Sequence, residues 1–179
     1  MDRIIETKSL LLRPLRGGDA PAIAQQINTE TITRNLARVP FPYGLADAEE
    51  FLSWALPQQD GTRFSAICLK QDPATPRGSI SYERLADGNT AELGYWLAEP
   101  LWGRGFMTEA VQATVAHAFT VAGLELVTAC YFAENPASGA VLRKAGFEAG
   151  ASTMVYCLSR DCEVEAITMQ LVKEKAARK

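Results

Sequence analysis

The sequence predicts a single α/β domain of the α+β type, in which a mixed, mostly antiparallel central sheet carries helices on both faces. The 179 residues fall in the size range of one domain. Apolar residues make up 47% of the chain and charged residues 22%, which is typical of a globular protein with a packed core. Strand-like and helix-like segments follow in an order that fits neither a purely parallel nor a purely antiparallel sheet.

The first third of the chain predicts one strand and two helices. The strand spans 4–15 and ends around a proline. Two glycines then form a turn, and Asp19 is placed to cap a helix over Ala20–Ile27. We expect 28–44 to be irregular, because two prolines interrupt it, and Asp47 to cap a second helix that ends before the next proline.

The remaining elements follow from apolar periodicity and from turn residues. Asp-Gly-Asn at 87–89 predicts a hairpin turn. Between 105 and 121 the apolar residues recur at helical spacing, and Gly123 and Gly146 are placed to end helices. The predicted strands are 64–69, 77–85, 91–97, Leu126–Phe132, 147–158 and 163–172, and the predicted helices are 105–121 and Pro136–Ala145.

Composition and charge exclude several classes of function. We expect one domain over 1–179, with 173–179 as a frayed, charged tail. The net charge of -3 offers no general basic surface, so no nucleic-acid partner is expected. No apolar stretch reaches the length of a signal peptide or a membrane span, and no membrane association is expected.

The cysteines and the single histidine predict no metal site. The four cysteines form no CxxC pair, and His117 falls away from the apolar side of its helix, where we expect it to be exposed and uninvolved. Cys68 and Cys130 lie in apolar, strand-like runs, where a free cysteine acts as a small hydrophobe. Free thiols predict a reducing, cytoplasmic location.

The most informative stretch is Trp-Gly-Arg-Gly-Phe-Met-Thr at 102–108, a short loop between a predicted strand and a predicted helix. Gly103 and Gly105 let the backbone approach a ligand closely. The first N–H groups of a helix are unpaired and partly positive, so this segment suits a pyrophosphate. Two glycines alone are equally compatible with a plain turn into a helix. The sequence has neither a P-loop motif nor a three-glycine dinucleotide fingerprint here.

A second group of residues begins where the next strand becomes a helix. Asn135 opens the run Asn-Pro-Ala-Ser at 135–138, and the same helix ends in Lys-Ala-Gly-Phe. The Asn135 side chain either caps this helix or hydrogen-bonds an amide-bearing ligand.

In this order, Gly-Tyr-Trp-Leu at 94–97, Trp-Gly-Arg-Gly-Phe-Met-Thr-Glu-Ala at 102–110 and the Asn-Pro-Ala-Ser helix resemble the GNAT acetyltransferase superfamily. Within it they are most similar to the Rim-type branch, which acetylates protein N-termini. Together with the opening strand, the resemblance covers 7–172. It implies the GNAT fold, with a sheet splayed at the cofactor site, and an acetyl-CoA-dependent N-acetyltransferase that uses no metal.

The resemblance assigns a set of residues to acetyl-CoA. The family's Q/R-x-x-G-x-G/A loop matches 102–107, with Trp102 in place of Gln or Arg and Met107 in place of the final small residue. Strand backbone would pair with the pantetheine arm. Lys144 would meet nucleotide phosphates, although it and Arg143 are equally compatible with solvated helix charges. The assigned residues are Trp96, Leu97, Ala98, Gly103, Arg104, Gly105, Phe106, Met107, Thr108, Asn135 and Lys144.

Acetyl transfer to an amine needs a proton acceptor, a donor for the carbonyl oxygen and a proton for the leaving thiolate. Glu92 is the only acid in 91–98 and is the candidate base, or else a solvated strand charge. A backbone N–H near Leu97 would be the oxygen donor. Leu142 stands where many GNAT enzymes carry a tyrosine acid, so the resemblance assigns this role to Ser138, which otherwise helps to cap its helix. No cysteine has an activating base nearby in sequence, which favours direct transfer.

The acceptor is expected to be a primary amine, either a protein or peptide N-terminus or a small-molecule amine. Its pocket should involve 28–44, including Phe41 and Tyr43, because the acceptor must reach the splayed strand from the side opposite the cofactor. A different class of function on the same fold is a non-catalytic acyl-CoA sensor or interaction module. The sequence leaves the oligomeric state open, a homodimer included.

Overall fold

The structure is a computed structural model that describes residues 4–57 and 61–173. Within these residues the chain forms one eight-stranded sheet and five α-helices. Most of the tail predicted at 173–179 lies outside the described residues. The strands are β1 (Ile5–Glu6), β2 (Leu10–Pro14), β3 (Arg63–Leu69), β4 (Gly78–Arg84), β5 (Thr90–Leu97), β6 (Leu126–Phe132), β7 (Glu148–Cys157) and β8 (Cys162–Val172). The helices are α1 (Ala20–Ile27), α2 (Glu30–Thr33), α3 (Leu45–Ala55), α4 (Phe106–Thr120) and α5 (Pro136–Ala145).

The sheet has the order β1-β2-β3-β4-β5-β6-β8-β7, and every neighbouring pair is antiparallel except β5 and β6. Side chains alternate between the two faces of each strand. One face of the sheet packs against α4 and α5, and the other face packs against α1 and α3 over β2 and β3. The predicted fold class, a mixed and mostly antiparallel sheet with helices on both faces, is confirmed.

Most predicted elements match the structure closely, since α1, β6 and α5 have the predicted bounds and the others differ by a residue or two. The opening strand is the main exception, because it is two strands that form a hairpin, β1 and β2. The break comes at Thr7, whose Oγ1 accepts the Leu10 N–H at 2.9 Å while its own N–H donates to the Leu10 carbonyl at 3.0 Å. A threonine hydroxyl that bonds the backbone of a residue nearby in sequence competes in this way with strand pairing.

Both aspartates that were expected to cap helices have other partners. Asp19 makes no side-chain bond at the start of α1. Its carboxylate instead binds the buried Arg13 guanidinium through bonds of 2.7 and 2.9 Å and accepts the Arg16 N–H. Asp47 lies at the third position of α3 rather than before it, where it accepts the Gly44 N–H at 2.7 Å. Asp19 therefore occupies the N-cap position of α1 as predicted but makes no capping bond there, whereas Asp47 does cap the start of α3, from the third helical position.

The segment 28–44 is less irregular than expected, because it contains α2. Thr29 caps this helix by accepting the Ile32 N–H. Asn28 Oδ1 accepts the Tyr43 N–H at 2.9 Å, which ties the two ends of the segment together. The segment is thus a held loop beside the sheet.

Two side-chain environments differ from the predictions. His117 is half-buried, and its Nδ1 lies 3.0 Å from the Tyr82 hydroxyl, because Tyr82 of β4 reaches α4 across the core. Cys68 is buried as expected, whereas Cys130 is exposed on β6. In the described part of the chain, no helix is both long and apolar enough to cross a membrane.

Candidate functional site

The sheet opens between β5 and β6. These parallel strands pair only from Thr90 to Leu93 on β5 and from Leu126 to Ala129 on β6. Beyond these residues β5 continues to pair with β4 and β6 continues to pair with β8. The two strands therefore present unpaired backbone edges to each other across a gap, which we call the cleft. Unpaired strand edges are ready to bond an extended ligand.

The register of β5 decides which of its backbone groups face the cleft. The Ala98 N–H donates to the Arg77 carbonyl at 2.8 Å, so Ala98 bonds toward the β4 side. Because bonding direction alternates along an antiparallel strand, Trp96 also bonds toward β4, while Tyr95 and Leu97 direct their N–H and C=O groups into the cleft. Of the three backbone positions expected to bind a cofactor arm, only Leu97 has this orientation.

The loop between β5 and α4 forms a concave backbone segment at the end of the cleft. Gly103 and Gly105 have φ angles of +71° and +80°, the left-handed region that favours glycine. No atom lies within 4 Å of the position that a Cβ would take at either residue. The loop therefore leaves room for a ligand against its backbone, and we call it the cradle (102–105).

The start of α4 adds hydrogen-bond donors to the cradle. Gly105 precedes the helix and has no side chain to cap it. The first helical bond runs from the Glu109 N–H to the Gly105 carbonyl, so the N–H groups of Phe106, Met107 and Thr108 precede that bond. Their partial positive charge suits an anion such as a pyrophosphate.

A tryptophan links the cradle to the cleft. The Trp102 indole N–H donates to the Leu97 carbonyl at 2.7 Å, although the ring itself is 43% exposed. This bond joins the first residue of the cradle to the last residue of β5. A second bond, from the Ser9 N–H to Glu109 Oε1 at 2.6 Å, holds the β1–β2 turn against the first turn of α4.

The side chains of the other predicted cofactor residues differ in exposure, from the buried core to the surface. Arg104 stacks on the Phe106 ring, with its guanidinium carbon 5.0 Å from the ring centre. The Met107 side chain is buried in the core, so only its backbone can reach the cradle. Arg143 and Lys144 are exposed on the last turn of α5.

The start of α5 meets β5 at the cleft. Asn135 caps this helix, since its Oδ1 accepts the Ser138 N–H at 3.2 Å. The Ser138 hydroxyl lies 2.8 Å from the Tyr95 hydroxyl, and the Tyr95 oxygen also lies 3.3 Å from the Ser138 carbonyl oxygen. Leu142, where a tyrosine acid would stand, is fully buried.

Sequence reasoning missed Tyr95. Burial raises the pKa of the Tyr95 phenol to about 12, so this hydroxyl stays protonated at neutral pH. The sequence contained one signal: strand alternation puts Tyr95 on the face of Leu93 and Leu97, which pack in the core. A tyrosine placed there needs a polar partner for its hydroxyl.

The opposite face of the sheet carries an open groove beside the cleft. This groove has a volume of about 420 Å³ and lies where the α1–α3 layer no longer covers the strands. Among the described residues of its lining Glu92 is the only charged one, and the others are small, polar or apolar. The described residues that line it are Glu92, Thr128, Ala129, Cys130, Gly150, Thr153, Val155, Thr168, Met169 and Gln170.

Glu92 has two charged neighbours. Glu83 is its direct partner across β4 and β5. The Arg38 guanidinium lies 3.5 Å from Glu83 and 3.9 Å from Glu92, and its side chain is 70% exposed. Burial raises the pKa of the Glu83 carboxyl, while Arg38 opposes that shift. Like charges directly opposite on a sheet repel, and a cation between them relieves this.

The predicted pocket residues of 28–44 do not line the groove. Phe41 is exposed at the surface, and Tyr43 is buried in the core that α1 and α3 share with the sheet. The loop does contact the region after β7, because the Ala37 carbonyl accepts the Leu158 N–H, and Ala37 packs on the same small apolar cluster as Val155.

Cys130 is a groove residue that the sequence did not single out. The residue is exposed at the groove, but desolvation of the thiol by the surrounding strands, and then the Glu92 carboxylate, raise its pKa. A protonated thiol is a poor nucleophile, which argues against a covalent role for this cysteine. Among the residues described, no cluster of histidine, cysteine, aspartate or glutamate could hold a metal ion.

Comparison with known proteins identifies the family of this arrangement. A family model described as the acetyltransferase (GNAT) domain matches residues 9–148. The uncharacterized N-acetyltransferase YoaA of Bacillus subtilis is 26% identical over 96% of this chain and 98% of its own length. Two solved structures share the fold: RimL, a ribosomal L7/L12 alpha-N-protein acetyltransferase in complex with coenzyme A (TM-score 0.83, 20% identity, 95% and 98% coverage), and a Vibrio cholerae spermidine N-acetyltransferase in complex with CoA and spermine (TM-score 0.80, 19% identity, 94% and 98% coverage).

Proposed function

This chain belongs to the GNAT acetyltransferase family and is an acetyl-CoA-dependent N-acetyltransferase, and we propose that its acceptor is the α-amine at a protein or peptide N-terminus. The observation that carries this proposal is the groove. One carboxylate stands at the cleft end of a surface lined by threonines, glutamine and small residues. Such a surface suits one ammonium group followed by an uncharged, extended chain.

The cleft and cradle fit acetyl-CoA. The open space at Gly103 and Gly105 and the free N–H groups at the start of α4 would hold the pyrophosphate. The N–H and C=O groups of Tyr95 would pair with the pantetheine arm, as an added strand does, which leaves the Leu97 N–H for the acetyl group. The cofactor supplies an activated thioester, and the chain supplies position and proton transfer.

On the acceptor side, Glu92 takes a proton from the acceptor ammonium, directly or through a water. The base need not be strong, because the reference pKa of an α-amine is about 7.7–8.0, against about 10.4 for lysine. The Leu97 N–H donates to the carbonyl oxygen as the amine attacks, which stabilises the charge that develops there.

On the cofactor side, Ser138 donates a proton to the sulfur as the C–S bond breaks and the C–N bond forms. Starting from the ammonium, the acceptor loses two protons. Glu92 takes the first and passes it to solvent, and the second leaves the nitrogen as the C–N bond forms and replaces, through solvent, the proton that Ser138 gave to the sulfur. The transfer therefore balances without an enzyme-bound acetyl group. The raised pKa of the Cys130 thiol supports direct transfer, because Cys130 is the cysteine that lines the groove.

A second candidate acceptor is a polyamine. Glu83 beside Glu92 offers a second carboxylate for a second ammonium group. A polyamine acetyltransferase and a ribosomal-protein acetyltransferase both share this fold, and identity below 25% assigns neither acceptor to this chain. The other described residues of the groove lining include no carboxylate, which favours the peptide.

The test is release of CoA thiol from acetyl-CoA in the presence of single acceptors. We expect turnover with short peptides that carry a free N-terminus and small, uncharged first residues. The same peptides with a blocked N-terminus are the control and should give none. Faster turnover with spermidine would favour the polyamine. Tight acetyl-CoA binding with no thiol release on any amine would identify a non-catalytic acyl-CoA sensor.

A further inference from the structure

The hydroxyl groups of Tyr95 and Ser138 join β5 to α5 beside the cleft. Tyr95 lies on the strand edge where the β5–β6 pairing has already ended, and Ser138 lies in the first turn of α5. Their oxygens are 2.8 Å apart. Both side chains are partly buried, so neighbouring residues restrict the motion of the pair.

The direction of this hydrogen bond follows from acidity. A phenol is a stronger acid than an aliphatic alcohol, so Tyr95 is the better donor and the Ser138 oxygen the acceptor. Both acceptors within reach of the Tyr95 hydrogen belong to Ser138, and of the two Oγ at 2.8 Å is nearer than the carbonyl oxygen at 3.3 Å. A serine hydroxyl that already accepts one bond turns its own hydrogen away from that donor.

We infer that Tyr95 is a positioning residue for acetyl transfer: its hydroxyl donates to Ser138 Oγ and so directs the Ser138 hydrogen toward the sulfur of CoA. This inference rests on the proposed role of Ser138. Burial raises the pKa of the Tyr95 phenol to about 12, so Tyr95 is protonated before the transfer, and it acts on the sulfur only through Ser138.

Two further contacts fix the position of Ser138 relative to Tyr95. Asn135 accepts the Ser138 N–H, which fixes the backbone of the serine at the start of α5. Gly139 packs against the ring of Tyr131 so closely that a Cβ there would lie 2.6 Å from a ring atom. The first turn of α5 therefore packs on β6 and is also hydrogen-bonded to Tyr95 on β5.

The test is a double-mutant cycle with Tyr95→Phe and Ser138→Ala, which remove one hydroxyl each. We expect Tyr95→Phe to lower kcat roughly 10-fold while KM for acetyl-CoA stays within about 2-fold. In the Ser138→Ala background the same change should have no further effect, because residues that act through one another are not additive. Tyr131→Phe is the matched control, since it removes a tyrosine hydroxyl that faces the same helix, and it should leave kcat unchanged.

A second measurement needs CoA but no acceptor amine. A hydroxyl that donates to the sulfur favours the thiolate and lowers the pH at which bound CoA ionises. Thiolate absorbance of the CoA complex, followed against pH, should show this midpoint rising in Tyr95→Phe, rising in Ser138→Ala, and rising no further in the double variant. A wild-type midpoint in Tyr95→Phe, or additive losses of kcat, would overturn the inference. Absence of turnover with every amine would instead overturn the proposed function, while the ionisation measurement would still decide the role of Tyr95.

Discussion

The two sides of the cleft are built from different parts of the chain. The side that we propose for the cofactor consists mainly of backbone: two left-handed glycines, the first N–H groups of α4 and the edge of β5. The side that we propose for the acceptor consists of side chains from four strands, Glu92 with threonines and a glutamine among them. A backbone site depends on local conformation, whereas a side-chain site depends on which strands become neighbours. Substitutions should therefore act differently on the two sides.

The largest effect is expected at Gly105. A valine there would put its side chain into the space reserved for the cofactor and would strain a φ of +80°. We expect acetyl-CoA affinity to fall more than about 100-fold, which calorimetry would measure. Gly123→Val is the matched control, because Gly123 has a φ of +70° and equally open space but lies beyond the far end of α4. Equal losses in the two variants would mean that backbone strain, not the cradle, explains the effect.

The next effect is expected on the acceptor side. Glu92→Gln keeps the size and hydrogen bonding of the side chain but removes the basic site. The rate should fall roughly 100-fold below the pKa of the acceptor amine and recover partly above it, where free amine is already abundant. A pH–rate profile checks this, with Glu163→Gln as the control for an exposed strand glutamate. A profile that overlays the wild type would remove Glu92 from the mechanism.

A smaller effect on acetyl-CoA affinity is expected at Trp102, whose side chain bonds the backbone of β5. Trp102→Phe keeps an aromatic ring but loses the bond to the Leu97 carbonyl. One hydrogen bond is worth about 1 kcal/mol, so acetyl-CoA affinity should fall about 5-fold. Calorimetry with 3′,5′-ADP, which lacks the pantetheine arm, should show a smaller loss of affinity than calorimetry with acetyl-CoA. The reason is that the bond links the cradle to β5, and 3′,5′-ADP would not reach β5. Trp54→Phe, at an exposed tryptophan on α3, is the control. Equal losses for both ligands would contradict the linking role.

The smallest effect is expected on stability at Glu83. Burial raises the pKa of this carboxyl, so its contribution to stability is fully present below the ordinary glutamate pKa and is lost as pH rises through the higher, folded value. Glu83→Gln has no such loss. The melting temperature of Glu83→Gln relative to the wild type should therefore be about 1 °C higher at neutral pH than at acid pH. Thermal melts at several pH values would check this, and a constant difference across that range would contradict it.

Local chemistry allowed the sequence to determine the loop and the helix start that we propose for the cofactor. Glycines between a strand and a helix, and a helix start without a side-chain cap, are properties of neighbouring residues, and Gly103, Gly105 and α4 lie where the pattern put them. The same reason explains why α1, β6 and α5 have their predicted bounds. The family resemblance rests on these local motifs, and the match over 9–148 confirms it.

Only the tertiary structure shows the groove that we propose for the acceptor. The sequence predicted Glu92 as the base and Phe41 and Tyr43 in the acceptor pocket. The groove includes Glu92 but neither aromatic residue, and the rest of its lining comes from β6, β7 and β8, which are distant from β5 in sequence. No local pattern could show that Tyr95 would meet Ser138, because that contact depends on where β5 and β6 separate. Which of two neighbouring residues bonds toward the cleft likewise follows from strand register, and register is fixed by the packing of the whole sheet.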